Sequence, residues 1–582
     1  MAEKIVSPGV FTKENDLSFL QQGVAEIGAA FIGPFKEGPL TPTIVNSQAE
    51  FETLFGVVDD TYYTPLAVQS YLREAGSATI CRVAGIDGYT ETAPLLLTAT
   101  SGSVSASLGI LFNTAVGANG GFVGETLTDL DGGGDFNLST LGSASLDVTD
   151  INDIEAVFGT SPFGSKEAYS YGFFKNTSIN FVSATSASVT VLGNQLFTFD
   201  AQEALTPTIK SQTISGDRYD LFQFETIGAG NVANTKIKIG ITNIKAAGSV
   251  NGTDYGTFTV VVRDFADTNK KKNVLETYSN VNLDPNSPNY ISRVIGDRKL
   301  SINSEGKISE SGDWVNNSKY IRIQYLNTSA PVQAVPFGHA KYSLPVSASA
   351  AIGALIPSVT FITASATQYG GIDLDNNTDN AIYLKPIPTG AGVGSNSVFG
   401  LDAANGGTLS VGSSLAQFVV AFQEGFDGKS PATPIYKGSD IVSGNSQGFD
   451  LTTSLSSGSV AYAKHIAALS NADEFDINMV VTPGVIRRLH TSVVTSVLDM
   501  VEERNDCFYI MDSTAVNDAV SLVTTQAGDV DSNMAATYYP WIKTIDVNTN
   551  KLISVPPSVL LPGVFAANDR VAAEWFAPAG LN

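Results

Sequence analysis

The chain has 582 residues, a formal charge of -24 and only 15% charged residues against 43% hydrophobic ones. Roughly one domain per 150 residues suggests about four domains, with ample material for large cores and few surface charges to keep copies apart. The acidic balance (sequence pI near 4.4), with no clustered Lys or Arg face, excludes a phosphate-tracking nucleic-acid surface and makes anionic lipid a poor partner.

Met1 to Pro8 lacks the basic and apolar regions of a signal peptide, and no stretch reaches the roughly 20 apolar residues of a membrane span, so synthesis and retention in a cytoplasm are expected. The following arm, Ile5-Val6-Ser7-Pro8-Gly9-Val10-Phe11, is apolar but interrupted by Pro8 and Gly9. It cannot start a helix and cannot bury itself alone. Two uses fit it: β-augmentation of a neighbouring copy, with Val6, Val10 and Phe11 entering pockets, or an edge strand paired within its own chain. Residues 1–19 are read as this linker arm.

From residue 20 to 96 the texture is α/β. Ser47-Gln48-Ala49-Glu50 is a capping box, and Phe51, Leu54 and Phe55 follow at helical spacing up to Gly56. Thr64-Pro65 opens a second helix carrying Val68, Tyr71, Leu72 and Ala75, stopped by Gly76, and Ala78 to Val83 reads as a buried strand. Between about 97 and 415 the pattern changes to short alternating runs, such as Ala187, Val189 and Val191 or Lys236-Ile237-Lys238-Ile239, separated by Gly, Asn, Ser and Asp. This predicts two β-rich domains, 97–220 and 221–415, with no fixed-period repeat.

The texture returns to α/β over 416–582. Ile477 to Val481 is a strand, Pro483-Gly484 is expected to open a long helix carrying Ile486, Leu489, Val493, Val497 and Val501, and Cys507 to Met511 is a second strand, giving a parallel β-α-β unit. The predicted fold is therefore an α+β multidomain protein. Its discontinuous α/β core is built from both ends of the chain, with inserted β-rich domains between them.

Chemistry-bearing patterns are few. Gly444-Asn445-Ser446-Gln447-Gly448 matches a nucleophile elbow in spacing, but a polar loop replaces the strand and helix that the motif requires. The three histidines, His339, His465 and His490, offer little choice of general base, and packing inside helices accounts for the last two. Cys81 and Cys507 each lie in an apolar run and read as buried free thiols.

No chelating pair exists for zinc. Asp373-Leu374-Asp375-Asn376-Asn377 begins like a calcium loop, but Thr378 and Leu384 occupy its glycine and glutamate positions; Asp129, Asp131 and Asp135 read as a hairpin tip. The carboxyl ends of the parallel strands, at Thr482 and Asp512, lack a phosphate loop, and Asp512-Ser513 is expected to cap a helix before Val516 and Val520. No catalytic residue, metal or cofactor is expected.

The ends carry a more specific pattern. Ser7-Pro8-Gly9-Val10 with Asp16-Leu17-Ser18, then Gly28-Ala29-Ala30-Phe31-Ile32-Gly33-Pro34-Phe35-Lys36-Glu37-Gly38-Pro39, resembles the opening of contractile phage-type tail sheath proteins. Val555-Pro556-Pro557-Ser558, Pro562-Gly563-Val564-Phe565-Ala566, Asp569-Arg570 and Glu574-Trp575-Phe576-Ala577-Pro578-Ala579-Gly580 resemble the family's proline-rich turn, helix and Ala-Pro-Ala-Gly segment. The likeness covers roughly 1–96 and 430–582. Family members continue past that segment into a C-terminal arm, whereas this sequence ends at Asn582.

The resemblance implies a virion tail protein that is not an enzyme. It implies six-fold rings of this chain stacked helically around a tail tube protein, bounded by baseplate and tail terminator proteins, with terminal arms exchanged between neighbours. Contraction would drive the tube through a host envelope. Sheaths of related injection or secretion machines share the same core. A virion or cell-surface adhesin is the alternative from another class and would show a secretion signal or a dedicated pocket; a hydrolase would need a catalytic constellation.

Overall fold

A computed structural model describes residues 28–59, 61–86, 88–92, 95–101, 104–113, 143–145, 170–172, 186–191, 194–197, 200–230, 232–340, 362–363, 370–372, 381–382, 417–429, 441–546, 550–572 and 576–578. They form a mixed α/β protein with several sheets. One six-stranded sheet draws on distant parts of the chain: β1 (Gly28–Pro34), β2 (Thr43–Val45), β3 (Ala78–Val83), β4 (Ile477–Ile486), β5 (Phe508–Asp512) and β6 (Ala535–Thr537), in the order β2-β3-β1-β4-β5-β6. β1 lies parallel between β3 and β4, and β5 and β6 continue the parallel set, while β2 pairs antiparallel at the edge. Every residue of β1 and β3 is buried, as expected of parallel strands covered on both faces.

Helices cover the two faces. On one, α1 (Gln48–Phe55) and α2 (Tyr63–Leu72) bury Phe51, Phe55, Val68 and Tyr71 against Phe31 and Ile80. On the other, α3 (Ser457–Leu469) and α4 (Thr491–Arg504) bury Tyr462, Ile466, Val494 and Val497 against Ala30, Ile32 and Val480. α5 (Val520–Gly528), between β5 and β6, buries none of its residues, and α6 (Leu561–Val571) packs on α2.

Several local expectations are met in detail. The Glu50 backbone N–H donates to Ser47 Oγ at 3.1 Å, while the Glu50 carboxylate accepts from the Asn46 backbone N–H at 2.9 Å, so the reciprocal arm of the box falls one residue early. Gly56 ends α1 with φ 84°, where only glycine is unstrained. α2 begins at Tyr63, one residue before Thr64-Pro65.

The expectation at Pro483-Gly484 is overturned. These residues do not open a helix: β4 runs through them to Ile486, its register to β5 shifting between Val481 and Ile486, and α4 starts only at Thr491. Proline is tolerated because the irregularity frees its position from the ladder, and glycine supplies φ 82°. His490 consequently stands before the first turn of α4 and not within the helix.

The β-rich part contains two further six-stranded sheets and one five-stranded sheet among the described residues. In one, Glu203–Leu205 and Ile209–Ser211 pair with Asp220–Ala229; in another, Ile237–Lys245 pairs with both Thr257–Asp264 and Phe418–Ala421. These pairings run across the positions 220 and 415 at which the sequence was divided. Phe222, Phe224 and Phe258 centre the core they share, with Phe222–Phe224 ring centroids 5.3 Å apart.

Lys236-Ile237-Lys238-Ile239 is not a half-exposed alternation. Lys238 is 2% exposed, its ammonium 2.7 Å from Asp267, which also receives the Arg263 guanidinium at 2.6 and 2.8 Å. Burial lowers the Lys238 ammonium to about 8 against the pull of Asp267.

Candidate assembly surface

In open α/β sheets a ligand crevice forms beyond the carboxyl ends of the strands, so chemistry would be sought there first. In this chain protein occupies part of it, leaving beyond β3 a cavity of about 170 Å³ lined by Arg82, Ala84, Gly85, Ile86, Lys464 and His465. Arg82, near the end of β3, donates through Nη1 to the carbonyls of Gly38 at 2.8 Å and Ala229 at 2.9 Å and through Nε to that of Phe35 at 3.2 Å, with Asp427 at 3.6 Å. A guanidinium's fixed fork thus ties the core to the strand Asp220–Ala229 of the β-rich part. Burial depresses its pKa against the pull of Asp427.

Beyond β4 the crevice is closed by the turn at 444–448. Ser446 is fully buried and donates through Oγ to the Gly484 carbonyl at 2.7 Å. The Gln447 amide accepts from the Tyr63 backbone N–H at 2.7 Å and donates to the Pro483 carbonyl at 3.0 Å. A Cβ at Gly484 would come within 2.5 Å of Gln447 Nε2, so glycine is needed for the approach as well as for its φ.

Ser446, Gln447 and Gly448 of the segment expected to be a polar loop are therefore buried, and the elbow spacing places its serine against a carbonyl instead of a histidine. The three histidines stand in separate places, and His465 lines the cavity beyond β3. His490 accepts at Nδ1 from the Ile486 N–H at 2.9 Å and donates from Nε2 to the Val442 carbonyl at 3.1 Å; His339 donates from Nδ1 to the Ala340 carbonyl at 2.7 Å. Burial holds His339, His465 and His490 down at about 4.

Cys81 and Cys507 are buried free thiols, as expected, and burial raises the second to about 11. Asp512 and Ser513 do not cap a helix: α5 starts at Val520, and the Asp512 carboxylate instead accepts from Ser558. The described residues contain no group of three or more His, Cys, Asp or Glu placed to hold a metal, and no helix long and apolar enough to cross a membrane. The arm residues Val6, Ser7, Pro8, Gly9, Val10 and Phe11, and the loops at 129–135 and 373–377, lie outside the described residues.

What the chain does offer is backbone edges with apolar side chains beside them. Ile542–Ile545 and Leu552–Val555 form an antiparallel hairpin whose strands, among the described residues, pair only with each other. At its base Val555 is fully buried, and Trp541 packs edge-on to Tyr63 at 6.1 Å and donates through Nε1 to the Thr514 carbonyl at 2.9 Å.

At its tip the opposed pair Ile545 and Leu552 is 58% and 64% exposed. No protein-family model matches the chain, and no curated protein matches it either. Val564 and Val571 of α6 and Val520 and Leu522 of α5 are also exposed.

A two-stranded ribbon with open edges is marginal alone and is a template for another strand. The sequence carries a signal for it: Ile-Lys-Thr-Ile and Leu-Ile-Ser-Val flank the polar stretch from Asp546 to Lys551. Chemically this surface offers backbone hydrogen bonds and apolar contact, the currency of assembly.

Proposed function

We propose that this chain is the sheath subunit of a contractile tail, polymerising with copies of itself as rings around a tail tube. In this reading residues 20–96 and 416–582 are the two parts of a discontinuous core that faces the tube, and the β-rich segments between them are insertions that project outward. Residues 1–19 are the strap to a neighbour.

The observation that carries the proposal is the open-edged hairpin Ile542–Val555, rooted in the core between Trp541 and Val555 while exposing Ile545 and Leu552. It stands beside the proline-rich turn and helix whose sequence resembles the sheath pattern. An extended arm such as Ile5 to Phe11 is the chemical complement of such an edge: its backbone completes the ladder while its apolar residues cover those of the hairpin. Full burial of Ile545 and Leu552 stabilises each contact by about 1.5–3 kcal/mol per side chain, a term repeated at every subunit of a helical assembly. Contraction then draws on subunit contacts that differ between two states.

Electron microscopy of the purified chain tests the proposal. Hollow tubes or stacked six-fold rings are the expected result, and deletion of residues 1–18 should leave a folded monomer that forms neither. A full-length chain that stays monomeric across assembly-promoting conditions sinks the sheath reading. Normal tubes from the deletion variant sink the strap.

A further inference from the structure

Asp512 ends β5 in the interior, 2% exposed, and burial and hydrogen bonds, with no Lys or Arg, set the state of its carboxyl. Its stabilisers are hydrogen bonds. Ser558 donates from its backbone N–H to Oδ1 at 3.2 Å and from Oγ to Oδ2 at 2.5 Å, and the Gly484 backbone N–H donates as well.

Ser558 is itself fully buried in the short 3-10 turn Pro557–Val559, which joins the exposed hairpin to α6. Two of the carboxylate's three donors thus belong to the segment that carries the hairpin. A buried carboxylate that has hydrogen bonds but no cation beside it is costly to keep ionised at such a joint.

We infer that the Asp512–Ser558 contact is a proton-controlled latch that sets how firmly the C-terminal segment, from the hairpin to α6, is held on the core sheet. The latch stands on its own geometry; only its consequence, that pH tunes how the hairpin is presented to a neighbouring copy, rests on the sheath reading.

Other titratable groups around the carboxylate do not supply the switch. β4 and the turn Pro557–Val559 bring none. Its own strand brings Tyr509, whose hydroxyl is 2.8 Å from Thr482 Oγ1 and whose pKa burial raises.

α2, packed on the same turn, brings Tyr63, which donates to the Ser554 carbonyl. After β4, Arg487 points to the carbonyls of Gln526 and Asp529, Arg488 pairs with Asp518, and His490 is held neutral.

The sign follows from burial, which raises the Asp512 carboxyl to about 7 against the pull of its hydrogen bonds. A released latch exposes the carboxyl to water, where its ordinary value is 3.8. The closed latch therefore holds a proton that the open one has lost between about pH 4 and 7. Closure is favoured on the acid side and weakens as pH rises, by about tenfold between pH 6 and pH 8.

Hydrogen–deuterium exchange of the full chain, corrected for the intrinsic pH dependence of exchange and followed in peptides covering 552–571, reads this directly. The native chain should lose about tenfold in protection from pH 6 to pH 8. Asp512→Asn, which mimics the protonated acid, should remain protected at both.

Ser558→Ala should move the transition to higher pH, because the ionised form loses its shortest hydrogen bond. A pH-independent native chain, the same pH response in Asp512→Asn, or an unmoved transition in Ser558→Ala overturns the latch. None of these readings depends on assembly, so a monomer in the microscopy experiment leaves this test intact.

Discussion

The side-chain amide of Gln447 accepts a hydrogen bond from the backbone N–H of Tyr63 at 2.7 Å, across 384 residues of chain. Tyr63 is the first residue of α2, so its N–H has no intrahelical partner and would otherwise be buried unpaired. The same amide donates to Pro483. One side chain from the segment before α3 therefore supplies the N-terminal satisfaction of a helix from the opposite end of the sequence.

Gln447→Ala should expose that dependence. It strands a buried donor and a buried acceptor without creating a path for water, each costing about 1–3 kcal/mol. A thermal unfolding series should show a clear loss of stability, and exchange protection at the start of α2 should fall first. An unchanged melting temperature would mean that a water enters in place of the amide.

The buried triad in the β-rich part predicts a different pattern. Asp267 neutralises both Lys238 and Arg263, whose side chains are 2% and 1% exposed. Asp267→Ala leaves two like charges buried together, a loss of about 3–5 kcal/mol. Denaturant unfolding followed at separate probes should show the β-rich transition shifting to lower denaturant while the six-stranded α/β sheet holds its own midpoint.

The contrast between these sites explains what was legible in the sequence. α1 and β3 were readable because a capping serine, Phe51 and Phe55 at helical spacing, and an unbroken apolar run are local signals whose cause and effect lie within a few residues. β4 misled because Pro483-Gly484 normally stops a strand, and only the register shift against β5 lets it pass.

Lys238 misled because alternation assumes a wet face, while the neutralising Asp267 is distant in sequence from it. Gln447 and Asp512 were beyond reach for the same reason: their partners, Tyr63 and Ser558, are defined by tertiary packing. The exposure of Ile545 and Leu552 at the hairpin tip is likewise a property of tertiary packing that their local pattern does not carry.

That hairpin yields a separation of stability from assembly. Ile545 and Leu552 are mostly exposed in the isolated chain, so Ile545→Asp or Leu552→Lys should change its melting temperature little, within the roughly 0.5 kcal/mol of ordinary surface substitutions. Placed in a completed interface, each change buries a charge without a partner and should abolish polymer. Sedimentation velocity, checked by electron microscopy, distinguishes the two effects; wild-type polymer from both variants would move the interface elsewhere.

Acid should destabilise the chain through its histidines. His339, His465 and His490 are held at about 4 by burial, below the ordinary 6.5. A base depressed in the folded state is protonated first in the unfolded chain, so its contribution is complete above about pH 6.5 and is lost as pH falls through about 4.

Asp512 runs the other way, since its raised carboxyl favours the folded state as pH falls below 7, but one group stands against three. Stability should therefore decline from pH 7 to pH 5, with up to about three protons taken up on unfolding from the histidines and about one released from Asp512. His490→Gln, which keeps an acceptor toward Ile486, should lower the proton uptake by about one at pH 5, measured from the pH dependence of the unfolding free energy. An unchanged slope would show that His490 is already accessible to protons in the folded chain.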